Sequence, residues 1–193
     1  MIAVVWFKRD LRVHDHAPLA AAAATGRPVL PLYILEPGLW RQPEMAGRHF
    51  DFLRECLADL DAALGRRGAR LVVRVGEAVD VLAALHARHG LASLHAHEET
   101  GLLWTYERDR AVRRWARSAG VPVREVAQHG VIRRLATRDG WARAWDASMS
   151  APRVAAPAAI RCAGPPSDEL PDAAALGLDA DPCPGRQRGG RAA

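Results

Sequence analysis

The sequence predicts an α/β fold: a doubly wound, Rossmann-like sheet of five parallel strands with helices on both faces, followed by an extended C-terminal tail rich in proline and alanine. Three observations predict it. Five short runs rich in apolar residues alternate with helical segments. The first two runs are apolar throughout, as in strands covered on both faces, and each crossover between parallel strands needs a helix-length connection. Because such crossovers are right-handed, their helices fall on the faces of the sheet. The expected strand order is 3-2-1-4-5, which places the topological switch between the carboxyl ends of the first and fourth strands, where sheets of this kind bind ligands.

The elements follow in order. IAVVWF, residues 2–7, is a β-branched run. PLAAAAATG, 18–26, is an alanine-rich helix opened by proline and closed by glycine. PVLPLYIL, 28–35, is the second strand, and the segment after it repeats Phe50, Leu53, Leu57, Leu60 and Leu64 at steps of three and four, a long amphipathic helix. RLVVRVG (70–76), EAVDVLAALHARHG (77–90), ASLHAH (92–97), LWTYERDRAVRRWARSAG (103–120) and VREVAQ (123–128) continue the alternation to five strands and four intervening helices.

At 193 residues the chain is long enough for one domain with a sizeable core. That domain is expected over residues 1–135. Residues 136–193 read as a short helix and an interdomain linker: from about Ser150 the composition shifts to alanine and proline, with seven of the thirteen prolines beyond that point and little helical period. The linker leads to no further element, so a fragment of a longer protein is expected.

The net charge of +5 is unevenly placed. Residues 101–150 hold ten arginines against five acids and account for all of it. A solvated arginine face is the plainer reading, with nucleic acid or an acidic small molecule as the alternative partner. Lys8 is the only lysine among 27 basic residues. Cys56, Cys162 and Cys183 are odd in number and lack metal spacing, which points to free thiols in a reducing, cytoplasmic compartment. The start carries no secretory pattern, and no apolar stretch approaches membrane-spanning length, so neither export nor a membrane is expected.

With the expected strand order, the two most polar loops, KRDLR (8–12) and HEETG (97–101), flank one crevice. Arg9, Asp10 and Arg12 can pair with one another or with Glu98 and Glu99, and an arginine fork suits a carboxylate or phosphate. An ion-pair network that seals the sheet or docks a neighbouring domain is one reading; contact with a bound cofactor is the other. His95 and His97 share a strand face, but no third and fourth ligand stand at a recognisable spacing, so no metal is expected. Trp141 and Trp145, spaced i, i+4, read as core or interface before they read as a base-stacking platform. No nucleophile elbow, Walker A loop or GxGxxG occurs, and no catalytic residues are assigned.

VVWFKRDLRVHDHAPLAAA resembles the opening strand, loop and helix of the DNA photolyase/cryptochrome family, in which WF-basic-RDLR-x-HD is a specific signature. RHFDFLRECLADLDAALGRRGARLVVRVG is similar to the family's second long helix and third strand, and Arg108-Asp109 followed by Val112 to its RD-x-x-V. HEETGLLWTYERD and GVIRRLATRDGWARAWDASMSAP resemble a bacterial subgroup, and PGRQRGGRAA the entry into the family's helical domain.

The resemblance implies an amino-terminal antenna domain of a flavoprotein, with a second chromophore (a folate, a deazaflavin or a flavin) in the cleft facing a helical domain. That helical domain, absent from these residues, would hold FAD and bind damaged DNA, and with it the whole protein would act as a lyase that splits pyrimidine dimers under blue light. This chain alone is not expected to be catalytic. Pro43 stands where folate-binding members have a histidine, and Trp104 and Thr105 where they have an asparagine and a glutamate. A deazaflavin or flavin is therefore expected ahead of a folate. The implied cofactor-binding or docking residues are Arg9, Asp10, Arg12, Glu98, Glu99 and Thr105, with the segments 36–45 and 98–105 around them. Two alternatives stay open: a cryptochrome-type blue-light receptor, and a stand-alone nucleotide-binding or interaction module, which would need the glycine-rich phosphate loop that is missing after the first strand.

Overall fold

The computed structural model describes residues 1–133 and 135–190. Arg134, in the arginine-rich segment, and residues 191–193, at the end of the PGRQRGGRAA run, lie outside the described residues.

Five parallel strands form one sheet in the order β3-β2-β1-β4-β5. They are β1 (Ile2–Phe7), β2 (Val29–Leu35), β3 (Val72–Val75), β4 (Leu91–His97) and β5 (Val123–Val126). β1 and β2 are buried at every position, as continuous apolar runs in the middle of a two-sided sheet should be. Odd-numbered residues of β1 and β2 (Ala3, Val5, Phe7, Tyr33, Leu35) face one core, and even-numbered ones (Val4, Trp6, Leu30, Leu32, Ile34) face the other.

The first core is closed by α1 (Ala17–Ala23) and α3 (Gly47–Gly65), whose buried stripe is Phe50, Leu53, Leu57, Leu60 and Leu64, as the periodicity predicts. The second is closed by α4 (Ala78–His89) and α5 (Leu103–Ser118), through Leu82, Leu85, Val112 and Ala116. A four-residue helix after β2, α2 (Pro37–Trp40), has no periodic signal in the sequence. α6 (Trp141–Ser150) has no buried residue; Trp141 and Trp145 are 41% and 42% exposed, so they are not core residues of this chain.

Residues 151–190 form little regular structure beyond a 3₁₀ turn at Ala174–Leu176, yet they are tied to the domain. Ile160 and Leu176 enter the first core. Val29 donates to Arg161 O and accepts from Ala163 N, so Cys162 bridges the start of β2. Farther on, Ser167 Oγ accepts from Val73 N, Asp168 N donates to Val73 O, and the Asp168 carboxylate accepts from Val75 N and meets Arg74 at 2.6 Å. The open edge of β3 is thereby covered, as exposed sheet edges usually are.

This arrangement also explains a proline in a buried strand. The backbone of Val29 points toward the tail, and Pro31, two residues on, points the same way. There it falls between the tail bridge and the first β3 pair at Leu32 and Val72, where no ladder bond calls for its missing N–H.

Candidate functional site: a cavity at the carboxyl ends of the strands

β1 and β4 lie side by side, so the loops that leave their carboxyl ends, 8–12 and 98–102, meet at the switch point of the sheet. Asp10 is buried at their junction. Its Oδ1 accepts from Lys8 N at 2.8 Å, and its Oδ2 lies 2.6 Å from His97 Nδ1 and 2.8 Å from His16 Nε2. His16 is also the N-cap of α1: its Nδ1 accepts from Leu19 N at 3.1 Å. That bond leaves the neutral ring's proton on Nε2, facing Asp10.

Burial alone would raise the pKa of Asp10; the hydrogen bonds from His16 and His97, the charge of His16 and the Lys8 N–H outweigh it and hold the carboxyl well below the usual range. Burial lowers His16, against the pull of Asp10. The three ligand-type atoms lie within 4.8 Å of one another. A metal on Nε2 of His16 would move the ring proton to Nδ1 and break the helix cap, so the geometry is that of a carboxylate between two imidazole donors.

A second buried network centres on Arg108 of α5. Its guanidinium meets Glu36 at 2.6 Å, Glu99 at 2.5 Å and Asp109 at 3.0 Å, and stacks 4.7 Å from the centre of the Trp6 ring. Burial opposes its charge, and Glu36, Asp109 and Glu99 together overcome that and push its pKa up. For Glu36, burial prevails over Arg108 and the Ala78 N–H it accepts at the start of α4, and its pKa is pushed up to about 7. Lys8, the only lysine, is buried against Asp109 at 3.1 Å, and its Nζ lies over the Trp6 ring, 4.7 Å from the centroid.

Between these networks and α3 opens a cavity of about 830 Å³. Its walls are largely apolar and aromatic, with Trp6, Phe7, Tyr33, Trp40, Phe52 and Leu53 among them. This size suits a drug- or cofactor-sized ligand. The indole Nε1 of Trp40 is buried with no hydrogen-bond partner, although Trp40 itself lines the space. A smaller polar recess of about 190 Å³ shares Lys8, Arg9 and Glu99 with it and is also lined by Asp10, His97 and Glu98.

The six residues singled out from the sequence divide between these spaces. Arg9, Arg12, Glu99 and Thr105 line the large cavity; Asp10 and Glu98 face the small recess. Arg9 is exposed and has no hydrogen bond or ion pair among the described residues, and Arg12 donates to the backbone oxygen of Asp15 at 3.0 Å. Thr105 donates to Leu102 O at 2.8 Å. The expected pairing of Arg9, Asp10 and Arg12 with one another or with Glu98 and Glu99 does not occur. Asp10 takes histidines, Glu99 takes Arg108, and Glu98 lies 3.8 Å from Arg133, which also donates to the backbone oxygen of Glu99. His95 and His97 lie on the strand face opposite Leu94 and Ala96 but take different partners: His95 Nε2 is 2.9 Å from Ser93 Oγ, and His97 meets Asp10.

The segment 36–45 contributes Glu36, Leu39, Trp40, Glu44 and Met45 to the cavity. α3 adds a wall outside the expected segments. Its one sequence signal is Phe52, an aromatic residue off the Phe50–Leu64 stripe and 40% exposed. Gly190 of the tail closes part of the same wall: Gly190 N approaches Cys56 Sγ at 3.3 Å, and Glu55 holds Arg186 through both guanidinium nitrogens, at 2.8 and 3.0 Å.

The sequence profile of the family described as DNA photolyase matches residues 3–146. A deoxyribodipyrimidine photo-lyase of Streptomyces griseus is 33% identical over 187 residues, 89% of this chain and 40% of that protein. Cryptochrome DASH of Natronomonas pharaonis is 36% identical over 134 residues, 66% of this chain and 28% of that protein. Among solved structures, a bacterial class III photolyase from Agrobacterium tumefaciens matches with a TM-score of 0.71 and 26% identity over 87% of this chain and 37% of its own. The chain thus spans well under half the length of these relatives.

Proposed function

We propose, from the premise that this chain belongs to the DNA photolyase family and forms its amino-terminal α/β domain, that the domain is a light-harvesting antenna whose chromophore occupies the large cavity. The observation that carries the reading is the cavity itself: about 830 Å³, aromatic-walled, at the switch point of the sheet. Such a chromophore, when bound, absorbs near-ultraviolet or blue light and passes the excitation on.

The chain's own residues shape and hold the space. Arg108 fixes Glu36, Glu99 and Trp6 as one wall; Asp10, through His16 and His97, holds the loop that carries Arg9 and Arg12 to the rim. A deazaflavin or flavin suits the site better than a folate, because the positions of the folate-binding histidine, asparagine and glutamate are filled by Pro43, Trp104 and Thr105. Pro43 has no side-chain donor, and the Thr105 hydroxyl is engaged with Leu102.

In the whole protein the domain would sit against a helical domain carrying FAD and damaged DNA, residues 136–193 serving as the connection, and the combined activity would be light-driven repair of pyrimidine dimers. No helix of the described residues is long and apolar enough to cross a membrane. Three free cysteines favour a reducing, cytoplasmic setting. The likeness to cryptochrome DASH supports light signalling as a second reading of the whole protein; dimer repair by the full-length protein, present or absent, separates the two.

The test of the antenna reading is the near-ultraviolet and blue absorption of the purified chain, with mass spectrometry of whatever denaturation releases. A deazaflavin or flavin band bears it out. Protein absorbance alone, persisting after incubation with these chromophores, removes it and leaves the charged rim as a docking surface.

A further inference from the structure

We infer that residues 183–190 form a strap across the α3 side of the large cavity, latched by the Glu55 carboxylate and able to open; the device stands whether or not the cavity's occupant is a chromophore. The tail is held in two different ways along its length. Between Ile160 and Asp168 it is bonded to the domain backbone to backbone, through Arg67 O, Val29 and Val73, and Ile160 and Leu176 are buried in the first core. Among the described residues, no backbone-to-backbone hydrogen bond joins 179–190 to the domain. There Asp181 meets the exposed Arg48, and the next bonds along the chain go to Glu55 and Cys56 of α3. A segment fixed only through side chains opens more readily than one fixed through its backbone and a buried core.

The run CPGRQRGG, 183–190, builds the latch. Pro184 and Gly185, with φ 77° at the glycine and Arg186 N bonded to Cys183 O at 3.1 Å, make a preset turn from which Arg186 reaches α3. Its guanidinium grips both oxygens of Glu55, and Gly189 N donates to the same carboxylate at 2.6 Å. A Cβ on Gly189 would strike the carbonyl oxygen of Phe52, and Gly190 has φ 98°, so glycines let the chain lie this close to the helix. Phe52, Cys56 and Gly190 all line the cavity, so lifting the strap opens that wall. The hydrogen bonds from Arg186 and from Gly189 N bring the Glu55 carboxyl down to about 2, which keeps the latch charged at neutral pH. The side chains of Arg186 and Glu55 are 25% and 35% exposed, and an ion pair in that setting is held weakly and screened by salt. The strap is therefore closed at low ionic strength and released as salt rises.

The test reads the Cys56 thiol, which lines the cavity where Gly190 meets it, as its rate of alkylation by N-ethylmaleimide. The parent is the 193-residue chain carrying Cys162→Ser and Cys183→Ser, so that Cys56 is its one thiol. Glu55→Gln removes the charge of the latch, and Gly189→Val blocks seating of the strap while leaving Glu55 in place. Each is expected to speed alkylation at least about fivefold, the factor that loss of a surface ion pair allows, with the far-ultraviolet circular dichroism unchanged. Raising sodium chloride from about 0.05 M to about 0.5 M should speed the parent and leave Gly189→Val unaffected. Equal rates in parent and variants overturn the strap. A faster Glu55→Gln beside an unchanged Gly189→Val overturns it too, because the charge next to the thiol, and not the position of the tail, then sets the rate. Salt that speeds the parent and Gly189→Val alike overturns the electrostatic latch. Should either variant fail to fold, the other and the salt course of the parent still decide.

Discussion

His97 Nδ1 lies 2.6 Å from Asp10 Oδ2, and this contact joins the last residue of β4 to the loop that leaves β1. Asp10 is buried, accepts from Lys8 N, meets His97 Nδ1 and lies 2.8 Å from His16 Nε2, so it is the pin that holds the two site loops together. Replacing it by alanine strands two imidazoles and a backbone N–H. We expect Asp10→Ala to lose about 3 kcal/mol or more in chemical denaturation, against less than about 0.5 kcal/mol for an exposed polar residue. A loss below 1 kcal/mol would mean that the loops are held by other contacts.

His16 gives the domain a pH dependence in a window separate from that of Asp10. Burial lowers the pKa of His16 below its ordinary 6.5, so the fold favours the neutral ring. Its contribution is complete above 6.5 and declines as pH falls below it, by at most about 1.4 kcal/mol per pH unit. Asp10, whose pKa is lowered from 3.8, begins to lose its contribution only below that value. Between pH 7.5 and 5.5 Glu36, whose pKa is raised, works in the opposite direction, so the reading is a difference: over that range the melting temperature of the wild type should fall relative to that of His16→Asn, which keeps a capping oxygen for Leu19 N and cannot titrate. Parallel curves would show that another group sets the acid limit.

Arg108 neutralises Glu36, Glu99 and Asp109 from a buried position. In Arg108→Met the three carboxylates lose their common cation, and a loss of about 3–5 kcal/mol is expected at pH 8. Glu36 sets the pH course of that loss. Its pKa is raised to about 7 in the fold, so the stability it lends is full below 4.5 and is lost as pH rises through 7. The variant should recover part of its deficit at pH 5.5, and urea titrations at both pH values measure it. An equal deficit at both would show that Glu36 does not take up a proton there.

Ile160 tests whether the tail belongs to the fold. It is 4% exposed, packs in the core under α3, and donates its N–H to Arg67 O at 2.8 Å. Ile160→Ala should lower stability by about 2–4 kcal/mol, read from the denaturant midpoint. A change within about 0.5 kcal/mol, as for a solvated linker residue, would detach the tail from the domain.

Much of the architecture is legible in local pattern. The apolar runs at 2–7 and 29–35 become strands buried on both sides, and the three-and-four spacing from Phe50 to Leu64 becomes the buried stripe of α3. These signals are short-range, set by which side chains a repeating backbone turns inward. The meeting of the 8–12 and 98–102 loops follows from strand order. The aromatic wall from Phe52 on α3 carries no local signal, because a residue off the core stripe is an ordinary surface position until the loops after β1 and β2 join it around one cavity.

What the sequence by itself determined is the alternation of strand and helix, the two-sided burial of the central strands, and the signature that places the chain in its family. The tertiary structure alone decided how the charges pair. Read along the chain, Arg9 and Arg12 are natural mates for Glu98 and Glu99; in space, Glu99 reaches Arg108 and Asp10 reaches His16 and His97, leaving Arg9 unpaired among the described residues. The Coulomb and hydrogen-bond terms that select a partner act over a few ångströms, here between Asp10 and His97, 87 positions apart in the chain, so they exist only once β1 and β4 are neighbours. For the same reason only the folded chain shows that a proline-rich tail, without a period of its own, closes the edge of β3 and makes room for Pro31.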